Sequence, residues 1–224
     1  MEKIGIFTYN FKHKKSYEGL VQLFLNGYKP KCILAANPVN INFYQSKIRL
    51  STKDLDYTHP KDIADKFNIP YYIVDHRSDD CVDIIKKYDL DLGIILGARI
   101  LKEKIINSFN YGILNMHPGL LPENRGLDNI KQGVTIHLID KYIDRGYLID
   151  RKTIDVYKDD TLVDILLRLQ NLELQMMIEF LDNVTADDVF EKVGIGTKYD
   201  SVPPEIEQTF FSIFDKYKKN YYKE

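Results

Sequence analysis

Short apolar runs alternate with segments of helical spacing in the first half of the chain. The runs are rich in isoleucine, valine and tyrosine, which is typical of strands buried on both faces. They are KIGIFTY (3–9), KCILAAN (31–37), YYIVD (71–75), LGIILG (92–97) and GILNM (112–116). The segments between them predict helices over 16–28, 58–68, 79–89 and 98–109, the first with Ser16 as its N-cap. This alternation predicts an α/β fold, an open, mostly parallel sheet with helices on both faces.

The second half of the chain has a different rhythm. Two strand patterns, GVTIHLID (133–140) and YLIDRKTIDVY (147–157), are close enough to be adjacent and antiparallel. A single long amphipathic helix is predicted over 161–184, followed by a connection rich in glycine and proline and a terminal helix. We therefore predict one main domain over 1–184 and a short C-terminal helical appendage over 185–224.

Composition and charge exclude several classes of protein. Hydrophobic residues make up 44% and charged residues 29% of the chain, as in ordinary globular proteins. The formal net charge of −2 gives no basic field for nucleic acid. No run approaches the roughly 20 apolar residues of a membrane span, and the N-terminus lacks a signal-peptide pattern. We expect a cytoplasmic protein that binds neither nucleic acid nor a membrane, with Cys32 and Cys81 as buried thiols.

The stretch GILNMHPGLLPENRG (112–126) places polar side chains at the end of an apolar strand and then turns sharply. Asn115 and His117 lie two residues apart, so they share one face of that strand. Ligands of open α/β sheets collect at the carboxyl ends of the strands. A lone histidine in a strand is usually structural, but an amide and an imidazole together offer a hydrogen-bond donor and a titratable group. Asp144, shortly before Gly146, could reach His117 and orient its ring.

Three elements in this order resemble the folate-dependent formyltransferases. They are NMHPGLLPENRG (115–126), GVTIH (133–137) and IDRG (143–146). The resemblance extends over roughly residues 3–180 and is best between 90 and 160. The family includes glycinamide ribonucleotide, methionyl-tRNA and nucleotide-sugar formyltransferases. The resemblance implies the Rossmann-like formyltransferase fold and a catalytic set of Asn115, His117 and Asp144.

The resemblance also implies a mechanism without a metal. A substrate amine attacks the formyl carbon of 10-formyltetrahydrofolate, Asn115 and protonated His117 stabilise the oxyanion, and Asp144 holds His117 and helps to relay the amine's proton. His137 matches a further polar position of the family, where it either supports this set or is a core histidine. The folate would lie between two segments, mostly against backbone groups: Gly97, Arg99, Ile100 and Leu101 in one, and Ile139, Asp140 and Ile143 in the other. Arg99 could instead be a surface helix residue, and the apolar side chains could serve packing.

Departures from the family's patterns bear on the acceptor. The first loop, FTYNFKHKKSYEG (7–19), has no glycine before its last residue, unlike the glycine-rich phosphate loop of the purine enzymes. The forty residues after 184 and the slightly acidic chain do not match the β-barrel and basic surfaces of the tRNA enzymes. We therefore expect a nucleotide-linked amino sugar, of the kind that feeds polysaccharide biosynthesis, as the acceptor.

Several residues could contact this acceptor, although each could also be an ordinary surface residue. They are Asn10, Lys12, His13, the 38–57 loop with Tyr44, and Arg125. Where family members carry an additional helical segment, often with a tryptophan, this chain has only LDNIKQ (127–132), either because the lineage is shortened or because the sequence omits a loop.

Three alternatives stay open at the level of sequence. The acceptor could be another small amine, such as one like glycinamide ribonucleotide, or the chain could be a non-catalytic folate-binding protein. The terminal helix could also support a homodimer, since its phenylalanines could pack within the chain or against a second subunit: Phe210, Phe211 and Phe214.

Overall fold

The computed structural model describes residues 3–39, 56–126, 133–185, 187–196, 198–199 and 204–223. Its strands are β1 (Ile4–Tyr9), β2 (Cys32–Ala36), β3 (Tyr71–Ile73), β4 (Leu92–Ile95), β5 (Gly112–His117), β6 (Arg125–Gly126), β7 (Gly133–Ile139), β8 (Gly146–Thr153), β9 (Glu191–Lys192) and β10 (Lys198–Tyr199). Its helices are α1 (Lys14–Leu25), α2 (Pro60–Phe67), α3 (Asp79–Lys87), α4 (Glu103–Ile106), α5 (Leu162–Asn183) and α6 (Pro204–Tyr221).

The main sheet has eight strands in the order β3-β2-β1-β4-β5-β7-β8-β9. The first five of these pair in parallel, and the order reverses between β1 and β4. The remaining pairings, from β5 through β7 and β8 to β9, are antiparallel. The predicted α/β class, with an open and mostly parallel sheet, is confirmed, as is the antiparallel pair formed by the two later strands.

Apolar side chains on the two faces of the sheet form separate cores. One core packs α1, α2 and the long α5 against the sheet, and it includes Met176, Met177 and Phe180. The other packs α3 and α4 against the opposite face, and it includes Cys32 and Cys81. Both cysteines are buried free thiols, as predicted, and burial raises the pKa of each to about 12. The helices therefore cover both faces and leave the carboxyl ends of the strands as the edge where a ligand can bind.

Two helix starts differ from the prediction. Helix α1 begins at Lys14 with His13 at the N-cap, whereas Ser16 is buried and accepts from the Thr8 hydroxyl at 2.6 Å. The Ser16 hydroxyl thus faces the end of the first strand instead of capping a helix. The helix predicted over 98–109 is reduced to the four residues of α4.

The shortening of this helix coincides with a contact between residues distant in sequence. The Tyr9 hydroxyl donates to the Ala98 carbonyl at 2.8 Å, which places that carbonyl against the first loop. Lys102 at the N-cap has an extended backbone, so the helix cannot begin before Glu103. A tertiary contact therefore overrides the local helical pattern.

The segment after α5 contacts the rest of the fold at several points. Strand β9 joins β8 at the edge of the main sheet, and β10 pairs with β6 in a separate two-stranded sheet. On α6, Phe214 is buried in the first core, Phe211 is exposed, and the side chain of Phe210 lies outside the described part of the chain. The boundary between 184 and 185, and the homodimer, stay predictions. No described helix has the length and apolar character needed to cross a membrane.

Candidate active site

The pairing of β5 with β7 assembles the polar face that the sequence predicts. Asn115 lies opposite His137 and His117 lies opposite Thr135 in the antiparallel register. Residues directly opposite each other in such a pair project to the same face of the sheet. Four polar side chains therefore lie together where β5 ends.

His117 is held by a backbone carbonyl and faces a carboxylate. Its Nε2 lies 2.5 Å from the Asn124 carbonyl oxygen, and its Nδ1 lies 3.6 Å from Asp144 Oδ1. Because a carbonyl only accepts, the Nε2 atom carries hydrogen and donates. The imidazole is buried, and the Asp144 side chain is largely buried. The structure thus brings together the two residues that the sequence predicted to meet, with Nδ1 as the ring nitrogen that faces the carboxylate.

Asp144 reaches this position through an unusual backbone conformation. Its φ is +50°, in the left-handed region, where aspartate and asparagine are found more often than most residues. Gly146, two residues later, has a φ of +111°, and a Cβ there would lie 2.0 Å from the Leu138 carbonyl oxygen. Only glycine fits at that position, so the turn before β8 can fold back towards β7 and present Asp144 to His117.

His137 connects Asn115 to the same turn. Its Nδ1 lies 2.9 Å from the Arg145 carbonyl, so Nδ1 carries hydrogen and Nε2 accepts from Asn115 Nδ2 at 3.1 Å. The ring is fully buried, and burial, followed by the nearby His117, lowers the pKa of His137 to about 4. At neutral pH it is therefore a neutral acceptor that fixes the orientation of the Asn115 amide.

Thr135 and Asn124 organise the loop that covers His117, and the sequence pattern indicated a role for neither residue. The buried Thr135 hydroxyl donates to the Gly119 carbonyl at 2.7 Å and accepts from the Leu121 amide at 2.9 Å. The Asn124 amide donates to the Leu120 carbonyl at 2.9 Å, which closes the turn. Thr135 lies in the GVTIH motif and could have been noticed there. The hydrogen bond that the Asn124 carbonyl accepts from His117 could not, because a backbone group leaves no signal in a pattern of side chains.

The two segments predicted to hold the folate lie close to each other. Lys141, in the turn before Asp144, is 3.6 Å from Glu103, which follows the 97–101 segment. Ile139 and Leu101 belong to the same core, with Leu101 buried. Ile100 in one segment and Ile143 in the other are 68% and 39% exposed. Each segment therefore exposes an isoleucine side chain.

The remaining members of these segments make local contacts. Gly97 donates its amide to the Phe7 carbonyl at 3.1 Å, and a Cβ there would lie 2.8 Å from the Tyr9 ring. Arg99 donates to the Asn37 carbonyl, and Asp140 accepts from the Tyr142 amide at 2.8 Å. Folate binding by this set stays a prediction.

Three of the residues predicted to contact the acceptor, Asn10, Lys12 and His13, lie just after the carboxyl end of β1. Asn10 bonds Tyr71 and Asn37, Lys12 pairs with Asp56, and His13 lies 2.9 Å from Ser16. Burial, followed by the charge of Lys15, lowers the pKa of His13 to about 4. Residues 40–55, which include Tyr44, and residues 127–132 lie outside the described part of the chain.

Arg125 lies apart from these residues and links two backbone segments. Its guanidinium donates to the Ile143 carbonyl at 2.6 Å and to the Gly196 carbonyl at 3.3 Å. It therefore joins the turn that carries Asp144 to the segment after α5, and its role towards an acceptor stays a prediction. Among the described residues, no group of three or more His, Cys, Asp or Glu side chains could hold a metal ion.

A model of the family described as formyl transferase matches residues 51–181, more than half of the 224-residue chain. The chain belongs to the formyl transferase family. The methionyl-tRNA formyltransferase of Thermosipho africanus is 28% identical over 170 residues, which are 71% of this chain and 55% of that protein. This family member spans about half the length of the curated relatives that it matches.

Solved structures show the same fold at low sequence identity. The phosphoribosylglycinamide formyltransferase from Streptococcus pneumoniae has a TM-score of 0.60 at 18% identity, over 81% of this chain and 98% of that chain. The N-formyltransferase from Helicobacter canadensis, in complex with folinic acid and dTDP-3-aminofucose, has a TM-score of 0.60 at 19% identity, over 89% and 71%. The formyltransferase fold of this family member is thereby established.

Proposed function

We propose that this chain transfers a formyl group from 10-formyltetrahydrofolate to the amine of a small acceptor. The observation that supports this most directly is the convergence of Asn115, His117 and Asp144. His117 Nδ1 lies 3.6 Å from Asp144, and Asn115 lies on the same face of β5, two residues earlier. An amide donor, an imidazole and a carboxylate around one point are the groups that acyl transfer to an amine requires.

The residues present fit a folate between the two adjacent segments. The exposed Ile100 and Ile143 would contact the flat ring, while Leu101 and Ile139 anchor the two segments in a shared core. Exposed isoleucines beside backbone groups suit a heterocycle that needs both apolar contact and hydrogen bonds. When bound there, the folate supplies an activated formyl group.

Asn115 would stabilise negative charge on the formyl oxygen. Its Nδ2 carries two hydrogens, and one of them is directed to His137. The second can donate to an oxygen that gains charge in the transition state, and the bond to His137 keeps the amide from rotating away. Removing one donor of this kind typically costs about 3 kcal/mol, or roughly 100-fold in rate.

His117 and Asp144 would handle the proton of the amine. Because the Asn124 carbonyl fixes hydrogen on Nε2, the Nδ1 atom is the one that can take up or give back a proton. Its separation of 3.6 Å from Asp144 is longer than a hydrogen bond. A water molecule or a small movement of either side chain could therefore connect the carboxylate to the amine through this space.

A nucleotide-linked amino sugar is the acceptor that we propose. The first loop, between β1 and α1, lacks the glycines that would let backbone amides surround a phosphate closely. Instead, the Tyr9 and Phe11 rings stack with centroids 5.0 Å apart and His13 stands edge-on against both. The fold is shared by an N-formyltransferase bound to dTDP-3-aminofucose and by a phosphoribosylglycinamide formyltransferase, so both acceptor classes belong in the test.

The test is incubation with 10-formyltetrahydrofolate and a panel of amines, followed by mass spectrometry of the products. The panel holds nucleotide-linked amino sugars that differ in base and in amine position, together with glycinamide ribonucleotide. We expect a formylated amino-sugar nucleotide, formed roughly 100-fold more slowly by the Asn115→Ala variant and not at all by the His117→Ala variant. Formylation of glycinamide ribonucleotide alone would refute the proposed acceptor. Binding of a non-reactive folate analogue without any product would indicate a folate-binding protein without turnover.

A further inference from the structure

Lys15, in the first turn of α1, reaches the strand that carries the predicted catalytic residues. Its Nζ donates to the Met116 carbonyl at 3.1 Å. Met116 lies between Asn115 and His117, and its own side chain is buried in the core on the other face of the sheet. The ammonium group therefore contacts the backbone at the midpoint of the two polar residues.

This contact lies beyond the point where β4 stops pairing with β5. The parallel register between β4 and β5 ends with Ile94 opposite Leu114, two residues before Met116. Beyond that point β7 continues to pair with β5, but β4 does not. A charge-assisted hydrogen bond from Lys15 thus holds β5 beyond the point where its pairing with β4 ends.

A buried carboxylate holds Lys15 in this place. The Oε2 atom of Glu173, on α5, lies 2.9 Å from Lys15 Nζ, and the Glu173 side chain is 5% exposed. Its other oxygen, Oε1, is buried and has no hydrogen-bond partner among the described residues. The carboxylate is therefore committed to Lys15, and the pair links α1, α5 and β5. Removing one partner of a buried pair leaves an uncompensated charge, so the geometry is strongly enforced.

We propose that Lys15 is a positioning residue, which holds the end of β5 so that Asn115 and His117 keep their places relative to Asp144. The proposal rests on the formyl transfer proposed above. Lys15 acts through the backbone of Met116 and not on the reacting atoms. A displacement of about 1 Å at a reacting group can cost on the order of 100-fold in rate, so a small shift of this strand end has a measurable effect.

The neighbouring Lys14 provides a matched control. It donates to both carboxylate oxygens of Glu18 at 2.6 Å, and Glu18 accepts from Gln170 on α5. This second ion pair belongs to the same interface between α1 and α5 but does not include β5. Lys14→Met and Lys15→Met therefore make the same chemical change on adjacent residues, and only the latter releases the catalytic strand.

The experiment compares these two variants by kinetics and by NMR. We expect Lys15→Met to lower kcat by about 10-fold or more, with the KM for the folate donor within about twofold, and Lys14→Met to leave both nearly unchanged. In spectra of the ¹⁵N-labelled protein, Lys15→Met should shift the imidazole signals of His117 and the side-chain amide signals of Asn115, assigned with the alanine variants. Lys14→Met should not shift them. Equal kinetic losses in both variants, or unshifted signals in Lys15→Met, would overturn the proposal.

Two further variants keep the test decisive if Lys15→Met does not fold. Lys15→Arg retains a cationic donor and should recover most of kcat, whereas Glu173→Gln removes the charge that holds Lys15 and should shift the His117 signals in the same direction as loss of Lys15. Wild-type signals in Glu173→Gln would count against the proposal. The NMR comparison does not require turnover. If the wild-type protein formylates no acceptor, the proposed function fails while the positioning of Asn115 and His117 is still tested.

Discussion

Replacing His137 tests whether the orientation of the Asn115 amide matters for turnover. Asparagine at this position can still direct an amide N–H to the Arg145 carbonyl, because its polar atoms correspond to Nδ1, but it cannot accept from Asn115. Glutamine is one carbon longer and can place its amide oxygen where Nε2 accepts at 3.1 Å. We therefore expect His137→Asn to lower kcat and His137→Gln to recover much of the loss.

The expected size of this effect follows from the loss of a single hydrogen bond. His137→Asn removes one neutral hydrogen bond, which contributes about 0.5–1.5 kcal/mol. Since 1.36 kcal/mol corresponds to a tenfold change in rate, kcat should fall roughly 2- to 12-fold. Asn115→Ala removes the donor itself and should cost roughly 100-fold. The His137→Asn variant should therefore lie clearly between the wild-type protein and Asn115→Ala.

The assay is steady-state kinetics near neutral pH, where His137 is neutral because its pKa is about 4. The acceptor is the one identified by the panel, and urea unfolding confirms that each variant is folded at the assay temperature. A kcat for His137→Asn equal to that of the wild-type protein would show that the amide needs no anchor. A kcat as low as that of Asn115→Ala would show that His137 does more than orient it. Either result would refute the reasoning.

Three further predictions follow from single side chains. Asp144→Asn suits the φ of +50° at this position but removes the carboxylate, so kcat should fall by about 100-fold while calorimetry shows unchanged affinity for a folate analogue; a matching loss of affinity would contradict this. Thr135→Val removes a buried hydroxyl that makes two hydrogen bonds and should lower the free energy of unfolding in urea by about 2 kcal/mol, whereas Thr135→Ser should retain most of it; equal losses would contradict the assigned bonds. Burial lowers the pKa of His76 to about 4 in the folded chain, whereas an unperturbed histidine has a pKa of about 6.5. Below about pH 6.5 the unfolded chain therefore binds more protons than the folded chain, and the folded state loses stability as the pH falls towards 4. The loss attributable to His76 should reach about 2 kcal/mol at pH 5, and His76→Gln should be less destabilised than the wild-type protein between pH 7 and pH 5; equal slopes would argue against a buried neutral ring.

The parts of the fold that the sequence predicted depend on burial of apolar runs. Strands such as β2, with all five residues buried, have no polar position that could indicate another structure. The helix predicted over 98–109 has helical periodicity in its sequence but forms only over Glu103–Ile106. The carbonyl of Ala98, at the start of the predicted helix, accepts a hydrogen bond from Tyr9 instead. Ser16 does not cap the helix for the same kind of reason, since its hydroxyl accepts a hydrogen bond from Thr8 on β1. Such contacts join residues distant in sequence, and local patterns do not contain them.

Some features of the candidate site could be predicted from the sequence and others could not. Asn115, His117 and Asp144 could be predicted because they are side chains in a recognisable order, and the structure places His117 beside Asp144. The contact of Lys15 with β5 could not be predicted in this way. The first loop and α1 reach the end of that strand only because the helices pack on the sheet.

Backbone carbonyls, and not further side chains, decide which nitrogen of each histidine is available for chemistry. The Asn124 carbonyl places hydrogen on Nε2 of His117 and leaves Nδ1 facing Asp144, whereas the Arg145 carbonyl places hydrogen on Nδ1 of His137 and leaves Nε2 to accept from Asn115. The two rings thus adopt opposite arrangements within one polar face, one of them suited to moving a proton and the other to holding an amide. Because any residue supplies a carbonyl, the identities of residues 124 and 145 carry no information about this assignment. It follows instead from the turns that end β5 and precede β8, and the glycine required at position 146 is the part of that geometry that the sequence does record.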